Sequence, residues 1–249
     1  MPRYFIEVAY KGTHFKGFQI QDHERTIQGE LNRALSVLLK TDIQTTTSSR
    51  TDAGVHAHQN FLHVDTDFNY LQEKTYNINA ILPQDMVVTG IYPVQDNAHS
   101  RFDAKARRYT YYLTRHKNPF LQETAYYFPF TIDLELMNEC CQLILSNTDF
   151  TSFSKKHTDV SNFNCQIMHA QWKQHSDTVT FEVESNRFLR GMVRALVGTM
   201  LQVGRKKINL DQFKEIIISQ NCNQADFSAV AKGLFLQKVY YPETVFLPM

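Results

Sequence analysis

Ser48-Ser49-Arg50-Thr51-Asp52-Ala53-Gly54-Val55-His56-Ala57-His58 is a small, polar stretch, and over residues 60–66 (NFLHVDT) it gives way to alternating polar and apolar residues. The change reads as a loop leading into a β-strand, where a rigid scaffold commonly displays functional side chains. Within the loop, Asp52 lies two positions after Arg50 and two before Gly54. Residues two apart in an extended segment point to the same side, so Arg50 is expected to pair with Asp52 and keep it ionised. Gly54 supplies the positive φ that a tight turn needs. A carboxylate held this way suits nucleophilic or electrostatic catalysis better than general-acid catalysis. The same Thr-Asp-Ala-Gly also reads as an ordinary surface turn, where Asp is common.

Outward from this loop, strands and helices are mixed. Residues 3–10 alternate as a strand, and 26–40 carry Ile27, Leu31, Leu35 and Leu38 on one helical stripe behind Thr26 as a cap. A short helix is expected over 76–82, ended by Pro83, then a strand over 108–114 and a helix over 134–145. A long loop follows over 146–164. Residues 166–173 and 178–184 read as two strands around a His175-Ser176-Asp177 turn. Helices are expected over 187–203, stopped at Gly204, and over 211–219, with a last strand over 234–240. Regular βαβ alternation is missing, which favours an α+β fold with largely antiparallel sheets. Each half begins with a strand and carries a long helix, so the chain is divided into 1–104 and 105–249.

The 249 residues allow a sizeable core, and 43% hydrophobic with 20% charged residues is ordinary for a globular protein. No apolar stretch approaches the roughly 20 residues that span a bilayer, and residues 1–10 lack a signal-peptide core. A cytoplasmic protein without a membrane segment is expected. Cys140, Cys141, Cys165 and Cys222 form no C-x-x-C pair and read as reduced thiols. Net charge is only +1, yet residues 101–116 carry +4 and residues 186–207 carry +6, leaving −9 for the rest. Brought together, the two basic segments would make a phosphate-binding groove; apart, they are two solvated faces.

Three constellations carry candidate chemistry beyond Asp52. Arg107 and Arg108 precede Tyr109 in a Tyr-rich strand, where a ring can stack on a base while cations hold phosphates; such a strand equally serves to pack a core. Arg187, Arg190 and Arg194 fall at i, i+3 and i+7, one face of the expected helix, with Phe188, Met192, Leu196 and Met200 as its apolar stripe. Cations crowded on one face are explained by an anionic ligand, or by hydration or acids elsewhere in the fold. His56, His58 and His63 lie near Asp52 and Asp65, a pattern some metal-dependent hydrolases use. The later His157, His169 and His175 sit at no obvious ligand positions, and no metal is expected.

Taken together, Arg50 to His56 (RTDAGVH), Ala106-Arg107-Arg108-Tyr109 and residues 188–203 (FLRGMVRALVGTMLQV) resemble the tRNA pseudouridine synthase A family. Tyr10, Gly12-Thr13, Phe15, Gly17 and Gln19 resemble its N-terminal block, and residues 147–153 (NTDFTSF) and 233–236 (GLFL) its later ones. Ser49 stands where the family usually has glycine, and Phe18 where tryptophan is common. The resemblance implies the pseudouridine synthase fold, α+β, with two related halves whose sheets meet at a central catalytic cleft. It implies isomerisation of uridine to pseudouridine on the 3′ side of the tRNA anticodon stem-loop. Asp52 would be the nucleophile, Arg50 its partner, Arg194 an active-site cation and Tyr109 the base-stacking residue, with Arg107, Arg108, Arg187 and Arg190 as further substrate contacts. The family uses no cofactor and no metal, and works as a homodimer on tRNA.

Overall fold

The computed structural model describes residues 1–156 and 160–248, so His157 and part of the expected 146–164 loop lie outside the described residues. In chain order the main elements are β1 (Arg3–Tyr10), α1 (Ile27–Leu39), β2 (Thr46–Thr47), β3 (His56–Asp65), α2 (Thr75–Ile81), β4 (Met86–Val94), β5 (Ala106–Thr114), β6 (Tyr126–Tyr127), α3 (Leu134–Leu145), β7 (Ile167–His175), β8 (Thr178–Ser185), α4 (Met192–Gly204), α5 (Leu210–Ile218) and β9 (Leu234–Tyr240). They form two compact units, Met1–Lys105 with Phe235–Met249, and Ala106–Leu234. The last segment thus packs with the first unit, whereas the single division at 104/105 assigns it to the second half.

In the first unit the strands run β4-β1-β3-β9. β1 pairs antiparallel with both β3 and β4. β9 joins β3 in parallel at His56↔Phe235 and Ala57↔Leu236, while β2 pairs with the other end of β3. Phe5, Ile6 and Val8 of β1 are fully buried, as expected for a strand between two others. α1 starts where Thr26 Oγ1 accepts from Gly29 N at 3.2 Å. Its apolar stripe of Ile27, Leu31 and Leu35 is buried. β4 was not anticipated: Gly90 and Pro93 interrupt its pattern. Both are tolerated because β4 is the outer strand of this sheet, where a missing donor costs little.

In the second unit the strands run β5-β8-β7, all antiparallel, with β6 parallel to the end of β5. Ser176 and Asp177 close the β7–β8 hairpin. α3 is tied to β7 by Asn138, whose side chain accepts from Trp172 N at 2.9 Å and donates to Trp172 O at 3.1 Å. Trp172 stacks on Phe181 at 4.9 Å, and its indole N–H meets Met200 Sδ of α4 at 3.2 Å. α4 is buried along almost its whole length. α5 begins at a reciprocal capping box between Asn209 and Gln212. The four cysteines are free thiols, and burial pushes Cys140 and Cys141 up to about 12 and Cys165 up to about 11.

Candidate active site

Asp52 opens a tight turn. Its carbonyl accepts from Val55 N at 3.1 Å, and Gly54, third in the turn, has φ +78°. Directly after the turn, β3 begins at His56. Asp52 is half-buried, between buried Thr51 and exposed Ala53. The turn is pinned from three sides. From β1, the Tyr10 hydroxyl and Thr51 Oγ1 share a buried hydrogen bond of 2.8 Å. From the chain after β1, Gly12 N donates to His56 Nδ1 at 3.0 Å, and Phe18 N donates to Thr51 O at 3.0 Å. Gly12 lies so close that a methyl there would overlap the Val55 carbonyl. From β3 itself, fully buried Asn60 donates from Nδ2 to Ser49 O at 2.9 Å, and from β2 the Thr47 hydroxyl donates to the same carbonyl at 3.2 Å. The N-terminal block of Tyr10, Gly12 and Phe18 is therefore the back wall of the Asp52 turn. Phe18, fully buried, packs its ring 5.9 Å from that of Tyr10.

Arg50 is exposed and makes no ion pair with Asp52 among the described residues. The same-side arrangement expected of an extended segment is not formed, because the chain turns at Asp52. The three histidines have other uses. His56 accepts from Gly12, so its proton resides on Nε2, and both His56 and His58 stack on Phe235 at 4.5 and 5.1 Å. His63 Nδ1 lies 2.9 Å from Ser100 Oγ and accepts from Ser100 N at 3.2 Å. Burial, first, and then the Arg3 charge push His63 down to about 4. Among the described residues no three His, Cys, Asp or Glu side chains gather as a metal would require.

In the second unit, Tyr109 is 8% exposed and meets Phe188 edge-on at 5.0 Å. Arg107 is buried, with Nη1 donating to Asn186 O at 3.0 Å. Arg108 faces Glu184 across the β5–β8 register and binds it through Nε at 2.8 Å and Nη2 at 2.7 Å, so its charge is offset within the sheet. The expected helix over 187–203 starts later, at Met192. Gly191 precedes it with φ +76°, a left-handed conformation that an α-helix cannot contain. Arg187 and Arg190 therefore stand on a loop, not on a helical face with Arg194. Arg190 is exposed and Arg187 half-exposed, and neither is ion-paired among the described residues. Arg194, in the first turn of α4, donates from Nε to Ala229 O at 2.7 Å. Of the apolar stripe, Met192, Leu196 and Met200 are buried within α4, while Phe188 lies before it against Tyr109.

The residues that hold the Asp52 turn carry only a partial sequence signal. Tyr10 and Gly12 belong to the recognised N-terminal block. Asn60 enters the sequence pattern only as the start of an alternating run, which a fully apolar residue fits equally well.

A family described as tRNA pseudouridine synthase matches over residues 141–242, which leaves the Asp52 turn outside the matched span. Whole-chain relatives include that turn. The tRNA pseudouridine synthase A of Parabacteroides distasonis is 45% identical over 251 residues, covering 99% of this chain and 98% of that protein. That of Bacteroides fragilis is 45% identical over 250 residues, covering 98% of each. The Staphylococcus aureus protein of the same name is 34% identical over 248 residues, covering 98% of this chain and 93% of its own. With identity of this order running over nearly the full length of each protein, the chain belongs to the tRNA pseudouridine synthase A family.

Proposed function

We propose that the protein isomerises uridine to pseudouridine on the 3′ side of the tRNA anticodon stem-loop, with Asp52 as the reacting carboxylate. The observation that carries this reading is the Asp52 turn itself. A carboxylate on a turn fixed by Tyr10, Gly12 and Asn60 is pre-positioned, and positioning is worth more to a rate than its modest structural cost.

The reaction breaks the bond between N1 of the base and C1′ of the ribose, turns the base, and forms a bond from C5 to C1′; C5 loses its proton and N1 gains one, so the product is an isomer of the substrate. Atoms and electrons balance within the nucleotide, so no co-substrate is consumed. Asp52 acts on the sugar or on the ring through its carboxylate oxygens. A uridine stacked in a stem must first be extruded, at about a few kcal/mol. Arg50, exposed and in no ion pair among the described residues, is suited to fill the vacated place in the stack. Tyr109 is the ring assigned to the extruded base, held edge-on by Phe188. Arg194, fixed through Ala229, is the active-site cation. Arg187 and Arg190 are the cations left for phosphates, Arg107 and Arg108 being bonded within their own unit.

The working form proposed is a cytoplasmic homodimer. No helix among the described residues is long and apolar enough to cross a membrane. Pseudouridine mapping of tRNA from cells with and without the protein tests the reading. Loss of modification in the anticodon arm supports it. An unchanged map, or tRNA binding by the purified protein without any product, sinks it in favour of a non-catalytic RNA-binding role.

A further inference from the structure

The turn over residues 98–103 is built to an extent that its length does not require. Asp103 Oδ2 accepts from His99 N at 2.7 Å, and Asp103 N donates to His99 O at 3.0 Å. His99 Nδ1 faces the amides of Arg101 at 3.1 Å and Phe102 at 3.4 Å. Burial and the nearby Arg3 charge lower its pKa, which keeps it the neutral acceptor those amides need. Beneath the turn, Ser100 Oγ donates to Thr46 O at 2.9 Å, and the Tyr241 hydroxyl donates to Ser100 O. Arg3 reaches up from β1 to donate to Ala98 O at 2.7 Å.

All of this holds up a phenylalanine in water. Phe102 is 72% exposed. Its ring lies 4.2 Å from the His99 ring at 36°, backed by an imidazole that is itself edge-on to His63 at 4.7 Å. The Arg101 guanidinium lies 5.6 Å from the Phe102 centroid. A single exposed aromatic is ordinary on a protein surface. Phe120 is such a case: it is 91% exposed, with no ring or cation against it among the described residues. Phe102 differs in being fixed from beneath and flanked by a cation. A rigid ring beside a guanidinium matches one ligand chemistry well, a nucleotide that stacks its base on the ring and offers its phosphate to the cation.

We propose that Phe102 and Arg101 form an accessory RNA-binding site, on which an unpaired nucleotide of the tRNA stacks outside the turn that carries Asp52. The site rests on the reading of this chain as a tRNA-modifying enzyme and adds a contact to it. It contributes to holding the tRNA and takes no part in the isomerisation.

The test is equilibrium binding of an unmodified tRNA transcript to the full chain at two salt concentrations, with pseudouridine formation by wild type measured on the same preparation. Phe102→Ala and Phe102→Leu are expected to weaken binding by about 5- to 100-fold, the range for loss of one stacked base. Phe102→Tyr, which keeps the ring, stays within about twofold on the same argument. Arg101→Ala lowers the slope of log affinity against log salt by about 1. The variants' melting temperatures report that the turn is intact. Wild-type affinity in Phe102→Ala, or in Phe102→Leu, overturns the site while a modifying wild type leaves the enzyme reading standing. A wild type that neither binds nor modifies tRNA overturns both.

Discussion

Gly12→Ala probes the back wall of the Asp52 turn. A methyl on Gly12 would overlap the carbonyl oxygen of Val55 and approach its carbonyl carbon to 2.7 Å and its nitrogen to 3.1 Å. Carbon atoms in contact need about 3.5–4.0 Å, so Val55 must retreat by about 1 Å. The turn cannot absorb that locally, because Val55 N is the donor that closes it onto Asp52 O, and His56 is tied to Gly12 N. The displacement therefore reaches Asp52. A misplacement of about 1 Å in a reacting group can cost about 10²-fold in rate, whereas overpacking of this kind costs about 1–3 kcal/mol of stability. The expected variant is folded, binds tRNA with near wild-type affinity, and is slowed about a hundredfold. Single-turnover pseudouridine formation, with tRNA binding and thermal unfolding in parallel, separates these effects. Wild-type turnover by a folded Gly12→Ala protein would refute the claim that this wall positions the carboxylate.

Asn60→Ala removes two bonds of 2.9 Å, to Ser49 O and from Phe61 N, at a fully buried position. It should lower unfolding free energy in urea by about 2–3 kcal/mol and slow turnover as well. Arg50→Ala removes an exposed side chain that is in no ion pair among the described residues, so stability should change by less than about 0.5 kcal/mol. Its kcat/KM for tRNA should nonetheless fall, in keeping with a role exercised only on the substrate. His63 carries a pH signature. Its folded pKa of about 4 lies below the unfolded value of 6.5, so the unfolded chain binds more protons between those limits. Its contribution to stability is complete above about pH 6.5 and is lost as pH falls towards 4, by no more than about 3 kcal/mol. His63→Gln should flatten that part of the stability–pH curve; an unaltered curve would show that His63 is not its source.

Local periodicity made much of the fold legible. β1, α3 and β9 occupy the expected residues, and α1 the expected span behind its Thr26 cap. These elements carry their own signal, a repeat of two or of 3.6 residues bounded by caps and turns. β4 does not, because Gly90 and Pro93 satisfy the needs of an outer strand rather than a pattern. The start of α4 was misplaced for a related reason. The spacing of Arg187, Arg190 and Arg194 is helical on paper, but φ at Gly191 is not written in that spacing. The return of residues 235–249 to the first unit depends on the pairing of β9 with β3, a contact between segments about 180 residues apart that neither announces alone. At the site, Asp52 and Gly54 were read correctly as a turn leading into a strand. The missing Arg50–Asp52 pair and the bonded state of Arg108 required coordinates, since both depend on where a long side chain finds its partner.

The central claim is that the Asp52 carboxylate performs the isomerisation. Asp52→Asn keeps the size of the side chain and removes its charge, so purified variant and wild type can be compared on the same tRNA transcript. The account predicts a folded protein that binds tRNA and forms no pseudouridine above background over many wild-type turnover times. Pseudouridine formation by Asp52→Asn at the wild-type rate would contradict it.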